Sequence, residues 1–183
     1  MTATSDPGPA GHRVAADAEL DELLDGLRAL GDGLPFNRYL GARVLELTEG
    51  RAVTVLEERQ ELHNHLRGVH AIAELAPVEL AGALAVTSRL RGVLERGQVP
   101  VVGELTARYL APGRGRLTAT AEVGEDVVAP AIQDLDDGRK PRVEVVVVVR
   151  DGRGESVVEA TLTFVFVPPE AGTTEAVVPE PSA

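Results

Sequence analysis

Cysteine and tryptophan are both absent from this chain of 183 residues. Without cysteine there is no thiol nucleophile, no disulfide framework and no cysteine-ligated zinc or iron–sulfur site. Aromatic residues make up only 3% of the sequence, whereas hydrophobic residues as a whole make up 44%. The core must therefore consist of Val, Leu, Ala and Ile, which suits close packing of a helix against a sheet.

Basic residues are also scarce, since 18 Lys and Arg face 29 Asp and Glu and give a net charge of −11. Non-specific nucleic-acid binding depends on a positive surface, so this balance argues against such partners. The longest apolar run, Val145 to Val149, is too short to cross a bilayer. Residues 1–16 lack the basic and apolar regions of a secretion signal. We therefore expect a cytoplasmic protein with neither a nucleic-acid nor a membrane partner.

The length fits a single folded domain with a sizeable core. Residues 1–15 have a loop-like composition, and the segment from Pro168 onward is rich in Pro, Glu and Thr. Such segments bury too little apolar surface to fold. We predict a disordered N-terminal tail (1–15), a folded domain (16–167) and a disordered C-terminal tail (168–183).

Hydrophobic periodicity predicts the order of helices and strands. Leucines at helical spacing predict a helix over 16–30, and a short second helix is expected over 35–40. A long apolar helix is expected over 71–94. Strands are predicted at 43–48, 52–58, 101–110, 116–123, 143–150 and 156–167. An antiparallel sheet wrapped around one long buried helix, with an extra N-terminal helix, is the α+β arrangement that buries these faces.

Two glycine-rich segments are predicted to be hairpin turns. Asp151-Gly152-Arg153-Gly154 separates the last two strands and carries a strong turn signal. Gly113-Arg114-Gly115-Arg116 separates two earlier strands and lacks the context of a phosphate-binding loop. In the last strand the alternation places Val158, Ala160, Leu162, Phe164 and Phe166 on one face, which is expected to enter the core.

Glu79 stands out on the long apolar helix. From Ile72 to Val86 almost every residue is apolar, so the helix is expected to be enclosed on all sides. Leu75, Gly82, Ala83 and Val86 lie within a narrow arc around Glu79. A carboxylate in that position costs desolvation energy unless it is paired or functional.

Asn64, His70 and Glu79 follow the spacing Asn-x5-His-x8-Glu at the start of this helix. This pattern, with Ala71-Ile72-Ala73 and with Tyr109-Leu110-Ala111-Pro112, resembles the hotdog-fold thioesterases of the PaaI type. The likeness covers about 34–167 and is closest to the DUF4442 / YiiD C-terminal-domain group. The resemblance implies a hotdog fold and hydrolysis of an acyl-CoA or acyl-carrier-protein thioester. It also implies a homodimer or a tetramer of dimers.

The resemblance also implies a role for each residue of the motif. Asn64 would orient the attacking water or the carboxylate, and His70 would bind near the thioester. The Ala71 N–H would donate to the oxyanion, and Glu79 of the second subunit would act as base or nucleophile. These roles are physically coherent, because a helix N-terminus stabilises negative charge and an apolar setting tunes a carboxylate towards base catalysis.

Substrate binding is predicted at five further residues: Gly68, Val69, Arg108, Arg114 and Arg116. Arginine suits a CoA phosphate, and on an acidic protein cations are few. Besides Arg114 and Arg116, Arg139, Lys140 and Arg142 could serve. His63, His65 and His70 suggest a metal site, but no third ligand has a recognisable spacing. We expect neither a metal nor a cofactor.

Each motif residue also has an ordinary structural interpretation. Glu79 could be a carboxylate paired with Arg at a subunit contact, His70 a core or capping histidine, and Asn64 a turn residue. Glu74 lies about 140° from Glu79 on an ideal helix, so the two do not form an obvious carboxylate pair.

Two other functions remain open beside thioester hydrolysis. Ala71 and Ile72 stand where family members often have glycine, Val102 replaces a Ser or Thr, and Pro77 interrupts the helix. These departures favour a non-catalytic acyl-binding or assembly protein with the same fold. A hotdog dehydratase or hydratase is a minor alternative, since neither the His-Phe-Pro nor the Asp-x4-His pattern occurs.

Overall fold

The computed structural model describes the backbone of residues 9–168 and the side chains of residues 17–168. Six strands form one antiparallel sheet. They are β1 (Ala42–Thr48), β2 (Arg51–Leu56), β3 (Val99–Tyr109), β4 (Leu117–Glu122), β5 (Arg142–Arg150) and β6 (Ser156–Val167). The helices are α1 (Pro9–Gly33), α2 (Pro35–Leu40), α3 (Ala71–Arg89), α4 (Arg91–Leu94) and α5 (Val128–Asp136). Short 3-10 turns cover Gln60–Leu62 and Glu125–Val127.

The strand order across the sheet is β1-β2-β4-β5-β6-β3. This order leaves β1 and β3 at the two edges. The register pairs Leu56 with Leu117 and Val145 with Leu162, so apolar residues of neighbouring strands stand side by side. The predicted α+β fold, an antiparallel sheet around one helix with an additional N-terminal helix, is confirmed.

Helix α3 lies in the curve of the sheet and packs against all of β1, β2, β4, β5 and β6. Gly82 allows a close approach to the sheet, because a Cβ there would lie 3.2 Å from Cε2 of Phe164. The helix continues through Pro77, whose carbonyl accepts a hydrogen bond of 2.6 Å from the buried Thr54 hydroxyl. By length and composition α3 could span a membrane, but most of it is buried within the protein. It is therefore the core helix.

The last strand follows its predicted alternation. The side chains of Val158, Ala160, Leu162, Phe164 and Phe166 are all buried in the core. The turn between β5 and β6 is the predicted hairpin, in which Asp151 Oδ1 accepts hydrogen bonds from the N–H groups of Arg153 and Glu155.

The prediction of a hairpin at Gly113–Arg116 is wrong, because β3 and β4 are not neighbours in the sheet. β3 pairs with β6, and β4 pairs with β2 and β5. The connection instead crosses over the start of α3, where the Gly113 carbonyl accepts a hydrogen bond of 3.1 Å from the Val69 N–H. Local turn residues indicate a reversal of the chain, but they do not determine which strands pair.

Three helical regions differ from the prediction. α1 begins at Pro9, so residues 9–15 are helical rather than part of a tail. The predicted helix 71–94 is divided at Leu90 into α3 and α4, since that residue leaves helical geometry at φ −102° and ψ 36°. α5 was not predicted at all. The remaining predicted tail residues, 1–8 and 169–183, lie outside the described residues.

Candidate active site

A short loop between β2 and α3 holds the first motif residue, Asn64. Its Oδ1 accepts hydrogen bonds from the N–H groups of Leu66 (2.8 Å) and Gly68 (3.2 Å). Its Nδ2 donates to the carbonyl of Val69 at 3.2 Å. Arg67 adopts a left-handed conformation with φ 58° at the tip of this loop. Asn64 therefore holds the loop in shape by bonding on both sides of its amide group.

The loop is fastened to the Gly113 turn. Besides the bond from Val69 to the Gly113 carbonyl, the packing at Gly68 is close, since a Cβ there would lie 3.2 Å from the Gly113 oxygen. Val69 itself is buried. Gly68 and Val69, which were predicted to bind substrate, are thus among the residues through which the loop contacts the rest of the protein.

His70 caps the N-terminus of α3. Its Nδ1 accepts a hydrogen bond of 3.2 Å from the Ile72 N–H, and its ring is exposed. Because Nδ1 is the acceptor, the neutral ring carries its proton on Nε2. The Ala71 N–H has no hydrogen-bond acceptor within the described part of the chain. A helix-terminal N–H without a partner is a donor available to an anion.

Glu79 lies on the least covered side of α3. Ile72, Leu75 and Ala83, which share this side of the helix with Glu79, are likewise not fully buried. The expected enclosure on all sides is therefore incomplete in the single chain, and Ile72 is 66% exposed. Burial raises the pKa of the Glu79 carboxyl above its ordinary value. Among the described residues, Glu79 forms no hydrogen bond and no ion pair.

Glu74, in the first turn of α3, is a buried acid that was not predicted to belong to the site. Its side chain is only 3% exposed. Oε1 accepts one hydrogen bond of 3.3 Å from the Gly113 N–H, and Oε2 has no partner. Burial raises the pKa of Glu74 to about 7, although the Gly113 bond acts in the opposite direction. An acid in the first turn of an otherwise apolar helix was the available sequence signal.

A cavity of about 340 Å³ lies beside the start of α3, between the loop and the end of β3. Its wall includes Asn64, Ala71, Glu74, Tyr109 and Leu110. The Tyr109 hydroxyl donates a hydrogen bond of 2.9 Å to the Ala71 carbonyl, which ties the end of β3 to the helix start. Burial, together with the charge of Glu74, raises the pKa of Tyr109.

The structure brings together only part of the predicted catalytic set. Asn64 and Ala71 line this cavity, whereas His70 and Glu79 are not in its wall. Glu79 follows Ala71 by eight residues on the same helix. The rise of an α-helix separates them by about 12 Å along its axis. Within one chain, Glu79 and the Ala71 N–H therefore cannot act on the same bond.

The predicted arginines differ in their surroundings. Arg108 pairs with Glu159 at 3.2 Å, and Arg116 pairs with Glu57 at 2.6 Å. Arg114 instead donates to the carbonyls of Arg67 (2.8 Å) and Leu66 (3.4 Å) and forms no ion pair with any described residue. Arg114 is therefore the predicted cation that retains an uncompensated charge beside the loop.

Comparison with known families identifies the chain. The model of a domain of unknown function, DUF4442, matches residues 27–166. The chain belongs to the DUF4442 family. The match runs from the middle of α1 to the end of β6 and so includes the whole sheet, α3 and the cavity. No curated protein sequence matches this DUF4442 chain.

Several solved structures share its fold. A Pseudomonas aeruginosa protein described as a probable thioesterase is 20% identical, with a TM-score of 0.69, covering 78% of this chain and 93% of that one. A thioesterase from Haemophilus influenzae is 18% identical, with a TM-score of 0.62 and coverages of 82% and 94%. The E. coli PaaI protein of the phenylacetic acid degradation operon is 18% identical, with a TM-score of 0.59 and coverages of 76% and 88%. The DUF4442 chain thus has the hotdog fold of PaaI-like thioesterases.

Proposed function

We propose that this protein hydrolyses acyl thioesters at sites formed between two copies of the chain. The observation that carries the proposal is the position of Glu79. This half-buried carboxylate has no partner among the described residues and lies on the incompletely covered side of α3. An unpartnered Ala71 N–H lies about 12 Å away on the same helix. A second α3 running in the opposite direction would bring its own Glu79 beside that N–H.

The edge strand β3 supports the association of two copies. It is 11 residues long, and Val99, Val101 and Val102 are exposed apolar side chains on it. A long apolar edge with unpaired backbone groups is a template for pairing with another strand. We infer that two β3 strands pair and that the sheet continues across the dimer. A tetramer of such dimers is equally compatible with this contact.

The chemistry requires four events in each site. The Ala71 N–H and the positive end of α3 bind the thioester carbonyl oxygen and stabilise the oxyanion. Glu79 of the second copy takes a proton from water, whose oxygen attacks the carbonyl carbon. The carbon–sulfur bond then breaks, and the thiolate leaves. The proton returns to the thiolate, so the products are a carboxylic acid and a free thiol. No cofactor takes part.

The carrier of the acyl group is proposed to be CoA or an acyl-carrier protein in the cytoplasm. Both present a phosphate on the pantetheine arm, and Arg114 is the predicted arginine beside the loop that forms no ion pair with any described residue. Arginine is suited to phosphate because its guanidinium donates two parallel hydrogen bonds. Arg108 and Arg116 would have to leave Glu159 and Glu57 before they could contribute.

The test is release of thiol from acyl-CoA, followed with a thiol-reactive dye. We expect Glu79→Ala to lower the rate by at least about a hundredfold, because a positioned base contributes about that much. Glu144→Ala, which removes an exposed carboxylate on β5, is the matched control and should retain the wild-type rate. Wild-type turnover by Glu79→Ala would refute the assignment of the base.

One observation favours a second function, acyl binding without catalysis. The Asn64 side chain is already hydrogen-bonded within its own loop. Oδ1 accepts from two backbone N–H groups, and Nδ2 donates to the Val69 carbonyl. A water molecule would have to compete with those backbone groups for the amide. If acyl-CoA binds and is recovered intact with the thioester bond unbroken, this second function is the correct one.

A further inference from the structure

The hydrolysis proposed above gives no role to Glu74. Its carboxyl group is buried and forms part of the wall of the cavity beside Ala71, where the other side chains are mostly apolar. Burying a carboxyl group is costly unless it is hydrogen-bonded. Such a group in a native protein calls for an explanation, because the great majority of buried polar atoms have partners.

The described part of the chain satisfies only one oxygen of this carboxyl. Oε1 accepts from the Gly113 N–H at the long distance of 3.3 Å, and Oε2 accepts from no donor among the described residues. Three neighbouring backbone donors are already engaged. The N–H groups of Leu66 and Gly68 bond to Asn64, and the N–H of Val69 bonds to the Gly113 carbonyl. None of these three donors bonds to Oε2.

The position of Glu74 relative to the reaction centre restricts what the missing partner can be. Glu74 follows Ala71 by three residues, which is about 4.5 Å along the helix axis. A thioester carbonyl held by the Ala71 N–H would therefore bring the first carbons of its acyl chain close to Glu74. The cavity of about 340 Å³ admits a short chain. A hydroxyl group can pair with either form of a carboxyl, since it both donates and accepts hydrogen bonds.

We propose that Glu74 determines substrate specificity by hydrogen-bonding a hydroxyl group on a short acyl chain. This inference rests on the proposed function. The preferred substrates are then thioesters of short hydroxy acids rather than of plain fatty acids. Because Oε2 is buried away from solvent, binding of the hydroxyl requires the carboxyl to turn towards the cavity. An acyl chain without a hydroxyl leaves the carboxyl unsatisfied and binds more weakly.

The test compares 3-hydroxybutyryl-CoA with butyryl-CoA by calorimetric titration. Both ligands carry the same pantetheine arm, so their ratio of Kd values reports the acyl hydroxyl alone. The protein carries Glu79→Gln, which keeps the thioester intact during the measurement. We expect the hydroxyacyl ligand to bind at least about tenfold more tightly, as a hydrogen bond to a carboxylate warrants.

Variants of Glu74 then locate the source of the preference. Glu74→Met, of similar length and without polar atoms, should abolish the preference, and Glu74→Gln should retain part of it. Glu74→Asp, which shortens the side chain by one methylene, should reduce the preference. It replaces Glu74→Met as the test if that variant does not fold. Glu122→Met, which removes an exposed carboxylate on β4, is the control and should retain the preference.

Two results would overturn the inference. They are equal Kd values for the two ligands, or an unchanged ratio of Kd values in folded Glu74→Met and Glu74→Asp. An unchanged ratio with weaker binding of both ligands would place the pantetheine arm rather than the acyl chain at Glu74. Thiol release by the wild-type protein is measured separately. If the binding preference holds but no thiol is released, hydrolysis fails as the function while the acyl specificity stands.

Discussion

The carboxyl group of Glu74 lies so close to Gly113 that a Cβ on this glycine would fall 2.5 Å from Oε1. Among the described residues, the Glu74 carboxyl accepts one hydrogen bond, which comes from the N–H of Gly113. The same glycine accepts the bond from Val69. One residue without a side chain therefore joins the crossover after β3 to both the loop and the first turn of α3.

Substituting Gly113 should disturb this junction. We expect Gly113→Ala to destabilise the protein by about 1–3 kcal/mol, because the added methyl group overlaps the buried Glu74 carboxyl and forces it away from the Gly113 N–H. The measurement is the free energy of unfolding in urea. The double variant with Glu74→Ala lacks the carboxyl that the new methyl group would overlap. Its loss of unfolding free energy should therefore be smaller than the sum of the losses of the two single variants. Full additivity would show that the cost arises elsewhere in the turn.

Glu74 should make stability depend on pH between 4.5 and 7. In this range the carboxyl is protonated in the folded protein, where its pKa is about 7, and ionised in the unfolded chain, where its pKa is about 4.5. The folded state thus binds more protons, and raising the pH weakens it by up to about 3 kcal/mol.

Glu74→Gln removes this titration and isolates its effect. The free energy of unfolding of the variant relative to wild type should increase from pH 5 to pH 8, by up to about 3 kcal/mol, and change little above that. Chemical unfolding of both proteins at several pH values measures the difference. A constant difference across the range would mean that Glu74 is ionised in the folded protein as readily as in the unfolded chain.

The rate of thioester hydrolysis should fall as the pH is lowered. A protonated Glu79 cannot accept a proton from water, and burial raises the pKa of this carboxyl. The midpoint of the fall in kcat/KM should therefore lie above the ordinary value for glutamate, about 4.3. A pH profile of thiol release at low substrate concentration measures it. A midpoint at or below the ordinary value would conflict with a base held in an apolar contact.

A lysine on the edge strand should separate the two copies. Val101 is 43% exposed on β3. A charged side chain on an edge strand opposes strand pairing. We expect Val101→Lys to sediment as a monomer and to lose thiol release with it. Val146→Lys is the control, since Val146 is 55% exposed on β5 and both neighbours of that strand are already paired. A monomeric variant that remains active would contradict sites shared between copies.

The sequence predicted the elements whose signals are local. The alternation from Val158 to Phe166 set the register of β6, and the Asp151 turn set its hairpin. α5 has a readable pattern too, since Val128, Ala131, Ile132 and Leu135 follow helical spacing, but the prolines and charges around it obscured this signal.

Long-range pairing could not be predicted in the same way. The residues around Gly113 indicate a turn, but the placement of β3 beside β6 depends on how the whole sheet closes around α3. The buried state of Glu74 has the same origin, because the crossover that covers it is distant in sequence. Helical spacing relates the position of Glu74 to that of Glu79 on the same helix. It cannot show that Gly113, which is distant in sequence, lies against the Glu74 carboxyl.

The ion pairs of Arg108 and Arg116 have a consequence for how fast a ligand arrives. With these cations neutralised by Glu159 and Glu57, a phosphate-bearing ligand approaches a chain of net charge −11. Like charges slow diffusional encounter, and dissolved ions shield them. Added salt should consequently raise the association rate constant of a phosphate-bearing ligand for this protein. The same salt lowers that rate constant for enzymes with a positively charged entrance to the active site.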